Sequence, residues 1–178
     1  MTRTIRPDTE AGITLIELMI AVAIVAILTT VAMVGYSKYI RNARLVDARE
    51  TIGRIQMAQE AHFERTGTYC DATTATGWQP ALAAGFEPRD WGTPVAAWTN
   101  CFGTRIKPDS GKTFFSYQVM ADTSALSGAA GAGDMNMIAG APWYYVLARA
   151  DMDNQGGTYT ELRANSQKRK IWIINKGL

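Results

Sequence analysis

The feature that most restricts the fold is an apolar stretch near the N-terminus, residues 13–36, with the sequence ITLIELMIAVAIVAILTTVAMVGY. A helix needs about 20 apolar residues to cross a bilayer core roughly 30 Å thick, so this stretch has the length of one transmembrane helix. It is too long for the apolar part of a secretory signal peptide, and no small-residue cleavage site follows it. We therefore expect a helix that remains in the mature protein.

Length and composition limit the rest of the chain to one modest domain without an obvious catalytic site. The chain has 178 residues and a net charge of +2, which does not by itself indicate a nucleic-acid partner. Cys70, Cys101 and a single histidine, His62, are too few for most metal sites and for the usual cysteine or serine hydrolase sites. The composition therefore argues against an enzyme, and we expect no cofactor.

One acidic residue, Glu17, interrupts the apolar stretch four residues after Ile13. A carboxylate within a membrane span costs roughly 2.5–3.5 kcal/mol on insertion scales. Glu17 should therefore lie near an interface, be protonated, or pair with a cation. The simplest of these is an interfacial position near the end of the helix, where the side chain can reach water.

Gly12 followed by ITLIELMI resembles the prepilin signature of type IV pilins and type II secretion pseudopilins. That signature is a short polar leader ending in glycine, then an apolar helix with glutamate at its fifth residue. The resemblance implies that a prepilin peptidase cuts between Gly12 and Ile13 and then N-methylates Ile13. It also implies that Glu17 attracts the free terminal amine of a neighbouring subunit during assembly, which would supply the cation that burial of a carboxylate requires.

Two positions depart from the family pattern. Ile13 replaces the usual phenylalanine or methionine at the start of the mature chain, where variation is tolerated. Val34 stands where the family usually has a proline, so an obvious helix kink is missing and Gly35 is the remaining weak point.

The resemblance also implies an α+β fold, with a long N-terminal helix packed on a head that contains a four-stranded antiparallel β-sheet. It divides the chain into a leader (1–12), a transmembrane or filament-core helix (13–36), and an amphipathic helix with a periplasmic or extracellular head (37–178). The expected partners are other pilins, in a homo- or hetero-polymer, the prepilin peptidase and the inner-membrane pilus assembly machinery. The subunit would be a single-pass inner-membrane protein before assembly and part of the surface pilus afterwards.

The residues after the apolar stretch support the same architecture. The helix is expected to continue to about residue 65, because Gly67 is a stop signal and apolar residues recur at helical spacing, namely Leu45, Ala48, Ile52, Ile55, Ala58 and Phe63. Strands are predicted at 114–121, 142–149, 158–164 and 170–175, which are rich in aromatic and β-branched residues. Residues 70–112 predict an ordered but irregular connector over the helix. Residues 124–140 predict a flexible surface loop that either contacts partners or has no role.

The cysteines and the histidine have structural interpretations. Cys70 and Cys101 would close the connector as a disulfide if the head lies outside the cytoplasm, as the resemblance implies. A loop of this length contributes about 3–4 kcal/mol in the chain-entropy model, and free or reactive thiols are the alternative. His62 lies beside the apolar helix face without a second histidine, which favours a structural or surface role over a catalytic one.

Two further motifs have competing interpretations. Asp151 and Asp153 resemble the start of a calcium loop, but the closing acidic position falls on Leu162, so a hairpin turn is favoured and no metal is expected. The basic residues 168–170 precede an aromatic strand. They can bind DNA through charge and stacking, or they can form a solvated sheet edge that prevents aggregation.

Together the residues and the resemblance predict a structural subunit of a bacterial type IV pilus, major or minor, serving adhesion, twitching motility or DNA uptake. The nearest alternative is a type II secretion pseudopilin acting in protein export. The segment 90–92 (DWG) is similar to the Asp-Pro-Trp-Gly segment of major pseudopilins but lacks its proline. A membrane-anchored periplasmic enzyme is less favoured, since the sequence has no nucleophile elbow, metal triad or phosphate loop. A tip adhesin or DNA receptor is compatible with the pilus hypothesis.

Overall fold

The computed structural model describes residues 12–72, 77–82, 87–122, 140–152, 159–168 and 170–175. The elements in chain order are α1 (Leu15–Thr66), β1 (Arg89–Asp90), α2 (Ala96–Phe102), β2 (Lys112–Thr113), β3 (Ser116–Asp122), β4 (Trp143–Ala150), β5 (Thr160–Asn165) and β6 (Trp172–Ile174). A long helix thus precedes a four-stranded antiparallel sheet, which confirms the α+β class. The chain divides into two compact units, Met1–Ile40 and Arg41–Leu178.

The first unit contains the apolar part of α1. From Leu15 to Met33 its large apolar side chains are exposed, from 53% for Ile24 to 76% for Leu15. A helix that is apolar on every side has no single face to bury, so it needs lipid or other helices around it. The helix passes through Gly35 without interruption, as expected from the missing proline.

The second unit, which we call the head, begins with the rest of α1. Leu45, Ala48, Ile52 and Ile55 are buried along one stripe of the helix, at the spacing that places side chains on a common face. The helix ends at Thr66 because Gly67 adopts a positive φ of 76°, and the Gly67 N–H donates a hydrogen bond to the Phe63 carbonyl at 2.8 Å. The predicted end at about residue 65 is confirmed.

The sheet of the head is an antiparallel meander in the order β3-β4-β5-β6. Alternate residues of β4 pack into two different apolar clusters, one on each face of the sheet. Tyr144, Val146 and Ala148 pack in the same cluster as Ile52. Trp143, Tyr145 and Leu147 form a second cluster on the opposite face, against Trp78 and Met120. The four strands lie where the residue pattern predicts them, with bounds that differ by one or two residues.

The connector contains more regular structure than the sequence analysis predicts. Residues 96–102 form the short helix α2, and β1 pairs with β2 in a two-stranded antiparallel sheet. Trp91 and Trp98 are buried with their rings 5.7 Å apart in an edge-to-face arrangement. Elements this short carry no hydrophobic period, so burial of the tryptophans rather than a repeating pattern determines where they form.

Two predicted loops fall on parts of the chain that the structure does not describe. The Gly-rich loop (124–140) lies outside the described residues except for Gly140. The turn predicted after Asp151 includes residues 153–158, which also lie outside them. The strands on either side, β4 and β5, are antiparallel neighbours, with Arg149 opposite Glu161.

Candidate functional site

The first candidate site is the start of α1, where the predicted cleavage residues lie. Gly12 and Ile13 precede the helix, and Ile13 is 74% exposed. Thr14 caps the helix, because its Oγ1 accepts a hydrogen bond from the Glu17 N–H at 3.3 Å. The Leu18 N–H donates the first helical bond to the Thr14 carbonyl at 3.2 Å. The segment Thr14-Leu15-Ile16-Glu17 has the spacing of a capping box, a local signal that the sequence analysis missed.

Glu17 lies in the first turn of α1, and its side chain is exposed. A carboxylate in this position interacts favourably with the positive end of the helix dipole. No cation among the described residues forms an ion pair with Glu17. Within one copy of the chain, the described part of the structure therefore gives Glu17 no charged partner.

The second feature of the site is the apolar surface of the helix itself. α1 contains a segment long and apolar enough to cross a membrane, and none of that segment is buried. Thr29, Thr30 and Ser37 turn their hydroxyls back to helical carbonyls at 2.7, 2.7 and 3.1 Å. These internal bonds leave the surface with few free polar groups, which suits apolar surroundings.

The remaining predicted residues lie in the head. Cys70 and Cys101 form a disulfide, with an S–S distance of 2.02 Å. The bridge ties the turn after α1 to helix α2. The Nδ1 atom of His62 lies 2.9 Å from the Thr68 carbonyl oxygen and 3.1 Å from the Thr66 hydroxyl. These local contacts link His62 to the end of the helix.

The calcium and DNA candidates are only partly described. Asp151 is buried directly after β4, while Asp153 lies outside the described residues. No group of three or more metal-ligating side chains occurs in the described part of the chain. Lys168 lies over the ring of Trp172, with its Nζ 5.8 Å from the ring centroid. Arg169, the middle residue of the basic segment, lies outside the described residues.

The head also contains a groove that the sequence did not indicate, between α1 and the ends of β4 and β5. Its volume is about 840 Å³, and Glu60 lies on its α1 side. The hydroxyls of Tyr69 and Tyr144 each donate a hydrogen bond to the Glu60 carboxylate at 3.3 Å. Burial, reinforced by the Glu60 charge, raises the pKa of both tyrosines, so they remain protonated donors. No local motif predicts this cluster, because its three members come from separate elements.

The sequence around the first site is similar to that of known proteins. Residues 8–33 match the family model of the prokaryotic N-terminal methylation motif. The chain therefore carries this methylation motif. The match includes Gly12, Ile13 and Glu17, the residues on which the resemblance to prepilins rests.

Two curated relatives are similar to this chain over a longer stretch than the motif. It is 33% identical over 69 residues to the type IV major pilin protein PilA of Myxococcus xanthus (strain DK1622), covering 39% of this chain and 31% of the relative. It is 40% identical over 53 residues to the prepilin peptidase-dependent protein D of Escherichia coli (strain K12), covering 30% and 36%. Thus the chain spans about a third of the length of each relative. No solved structure matches it. The matches confirm the resemblance to pilins and prepilins, and they support a pilin-type or pseudopilin role.

Proposed function

We propose that this chain is a structural subunit of a bacterial type IV pilus, with no catalytic role of its own. The observation that carries the proposal is the methylation motif at residues 8–33 at the start of a helix whose large apolar side chains are exposed from Leu15 to Met33. The subunit is stored in the inner membrane by this helix and is later polymerised through it. Lipid contacts are then exchanged for contacts with the same helix in other copies.

Processing precedes assembly in this proposal. The prepilin peptidase removes residues 1–12 by cleaving between Gly12 and Ile13, and it methylates the new amine of Ile13. Gly12 and Ile13 lie before the first helical turn, so their peptide bond is not held in the helix. Thr14 caps the helix, so only Ile13 and Thr14 would precede the helix in the processed chain.

Glu17 then guides assembly. Its carboxylate is exposed and has no cationic partner among the described residues, so it is available to the terminal amine of another copy. In apolar surroundings this attraction is stronger than in water, and an unpaired carboxylate is costly. Incoming subunits that bring their amine to Glu17 are therefore favoured over misplaced ones.

The head supplies an outer surface that stays folded outside the cell. Its core is formed by one stripe of α1, the sheet and the buried tryptophans, and the Cys70–Cys101 disulfide closes the connector. Such a head can serve adhesion, twitching motility or DNA uptake. A type II secretion pseudopilin uses the same assembly chemistry, and it is the competing outcome of the experiment below.

The experiment deletes the gene in its native host and restores it as wild type, Glu17→Gln or Glu50→Gln. Glu50 is the matched control, because it is an exposed acid on the same helix but in the head. The chain is quantified by mass spectrometry in sheared surface filaments and in membranes. We expect wild type and Glu50→Gln to enter the sheared fraction, and Glu17→Gln to remain in membranes.

Two results would contradict the proposal. Entry of Glu17→Gln into filaments at the wild-type level would show that assembly does not need the Glu17 charge. Confinement of the wild-type chain to membranes, together with lost protein export on deletion, would assign the chain to the pseudopilins.

A further inference from the structure

The groove of the head is a second surface without an occupant inside the described structure. Its volume of about 840 Å³ is enough for several side chains of a partner. Met57 lines the groove and is 74% exposed, although methionine stems favour apolar contacts. The opposite wall is aromatic, with the Tyr69 and Tyr144 rings 4.7 Å apart in an edge-to-face arrangement.

The charge of the groove indicates what kind of group it accepts. Two carboxylates, Glu60 and Glu64, line it, and no lysine or arginine occurs among its described lining residues. Glu60 is held by the two tyrosine hydroxyls, whereas Glu64 is exposed and has no ion-pair partner in the described part of the head. An aromatic wall beside carboxylates favours a cationic side chain with an aliphatic stem, as in lysine.

A glycine in the helix gives independent support. Gly53 lies on the α1 side of the groove, in the interior of the helix, where glycine is less favourable than most residues. A Cβ atom added there would meet nothing within 4 Å, so packing inside this chain does not require glycine. The missing side chain instead leaves the groove deep enough for a partner to approach the helix closely.

The chain itself provides a complementary group. Lys168 and Lys170 are exposed and lie just before β6, the edge strand of the sheet. They are not among the residues that line the groove, although the Lys168 N–H donates a hydrogen bond at 2.7 Å to Oδ1 of Asn165, which does line it. Because the groove and the lysines are different residues, one copy can bind a second through its groove and a third through its lysines, and a heterologous contact of this kind extends a filament.

We propose that the groove docks Lys168 and Lys170 of a second copy of this chain, with their ammonium groups near Glu64 and their stems along Met57 and the tyrosines. This inference rests on the proposed function and adds a contact between heads to the contact between apolar helices. Gly53 keeps the groove open, and Glu64 selects the positive charge.

The test measures filament yield from the restored native host for five versions of the full chain. These are wild type, Glu64→Lys, the pair Lys168→Glu with Lys170→Glu, all three changes together, and the control Glu87→Lys, an exposed acid outside the groove. We expect each charge reversal to lower the yield roughly tenfold and the combination to recover most of it, because like charges are then replaced by opposite ones. Glu87→Lys should leave the yield unchanged.

A steric variant, Gly53→Gln, separates docking from folding. Glutamine favours helices more than glycine does, so we expect the unfolding temperature of the head to rise by about 2–4 °C. Filament yield should nevertheless fall by roughly tenfold, because the side chain fills the groove. A yield equal to wild type would overturn the proposal.

Each of the other outcomes also tests the proposed contact. If the combined charge variant yields no more filament than the worse of its parents, the groove does not contact the basic segment. If the double lysine variant loses DNA retention but keeps its filament yield, the basic segment binds polyanions instead. If wild-type chain forms no filament, the proposed function fails and this contact fails with it. Normal filaments from every variant overturn the contact alone.

Discussion

The two parts of α1 have the same backbone conformation but opposite surroundings. Ile24, in the first unit, is 53% exposed, while Ile52, in the head, is fully buried. The first part is apolar on all sides, and the second carries a buried stripe between charged residues. The two parts of one helix therefore suit different surroundings. The part before Arg41 needs lipid or other copies around it, whereas the part after it has its own core.

Under the proposed function, this difference assigns assembly to the first part of α1 and stability to the head. A residue in the head contributes to folding because the rest of the chain packs on it. A residue in the exposed part of the helix has no comparable packing inside one copy, so only other molecules can cover its apolar surface. Substitutions in the two parts should therefore change different measurements.

The largest difference is expected from matched isoleucine substitutions. Ile52→Ala removes fully buried atoms and leaves a cavity, so the head should lose about 2–5 kcal/mol of unfolding free energy. Ile24→Ala removes exposed atoms and should change that free energy by less than about 0.5 kcal/mol. Denaturant unfolding in detergent, followed by tryptophan fluorescence, reports on the head because all five tryptophans lie there. Equal losses would contradict the division between the two parts.

Removing the disulfide should also destabilise the head alone. Cys70 and Cys101 are 31 residues apart in sequence, so their bond restricts a long loop in the unfolded chain. The double variant Cys70→Ala with Cys101→Ala should lose about 3–4 kcal/mol in the chain-entropy model. The denaturation midpoint measures this loss. An unchanged midpoint would show that the loop is already restricted in the unfolded chain.

High pH should weaken the head through buried tyrosines. Burial raises the pKa of Tyr117 from 10.0 to about 12, so the folded head holds this proton more tightly than the unfolded chain. The contribution is complete below pH 10 and is lost as the pH rises towards 12, by up to about 2–3 kcal/mol.

The control for this pH dependence is Tyr117→Phe. It should flatten the loss of unfolding free energy above pH 10, but only in part, because the pKa values of Tyr69 and Tyr144 are also raised. Equilibrium unfolding at a series of alkaline pH values measures the slope. The same slope in Tyr117→Phe and wild type would show that Tyr117 is not responsible.

The smallest effect is expected at the start of α1. Thr14→Ala removes the oxygen that accepts the Glu17 N–H, which should cost the first turn about 1 kcal/mol. Amide hydrogen exchange of residues 15–18 in detergent should become faster, while the unfolding of the head stays the same. Thr14→Ser retains a capping hydroxyl and should exchange like wild type. Faster exchange in the serine variant would argue against the cap.

The long helix and the main sheet could be predicted because their patterns extend over many residues. The spacing of Ile52 and Ile55 marked the buried stripe, and Gly67 marked the end of the helix. The short elements of the connector could not be predicted in this way, since Trp91 and Trp98 are buried by contacts between distant segments. The same holds for the groove, where Tyr69 and Tyr144 approach Glu60 only in the folded head.

The first site was predicted by its local sequence signature rather than by periodicity. Gly12, Ile13 and Glu17 form a short pattern, and residues 8–33 match the methylation motif. The Thr14 cap lies inside the same pattern and follows from its Thr-x-x-Glu spacing, so these residues have a local role in the helix besides their resemblance to the prepilin signature.

The most direct test is N-terminal mass spectrometry of the native protein from sheared surface filaments and from membranes of the same cells. We expect a chain that begins with N-methylated Ile13 and is abundant in the filaments. A processed chain found only in membranes would contradict the role as a major filament subunit. An intact Met1 terminus in every fraction would contradict processing at Gly12 and, with it, the assembly of this chain through its N-terminal helix.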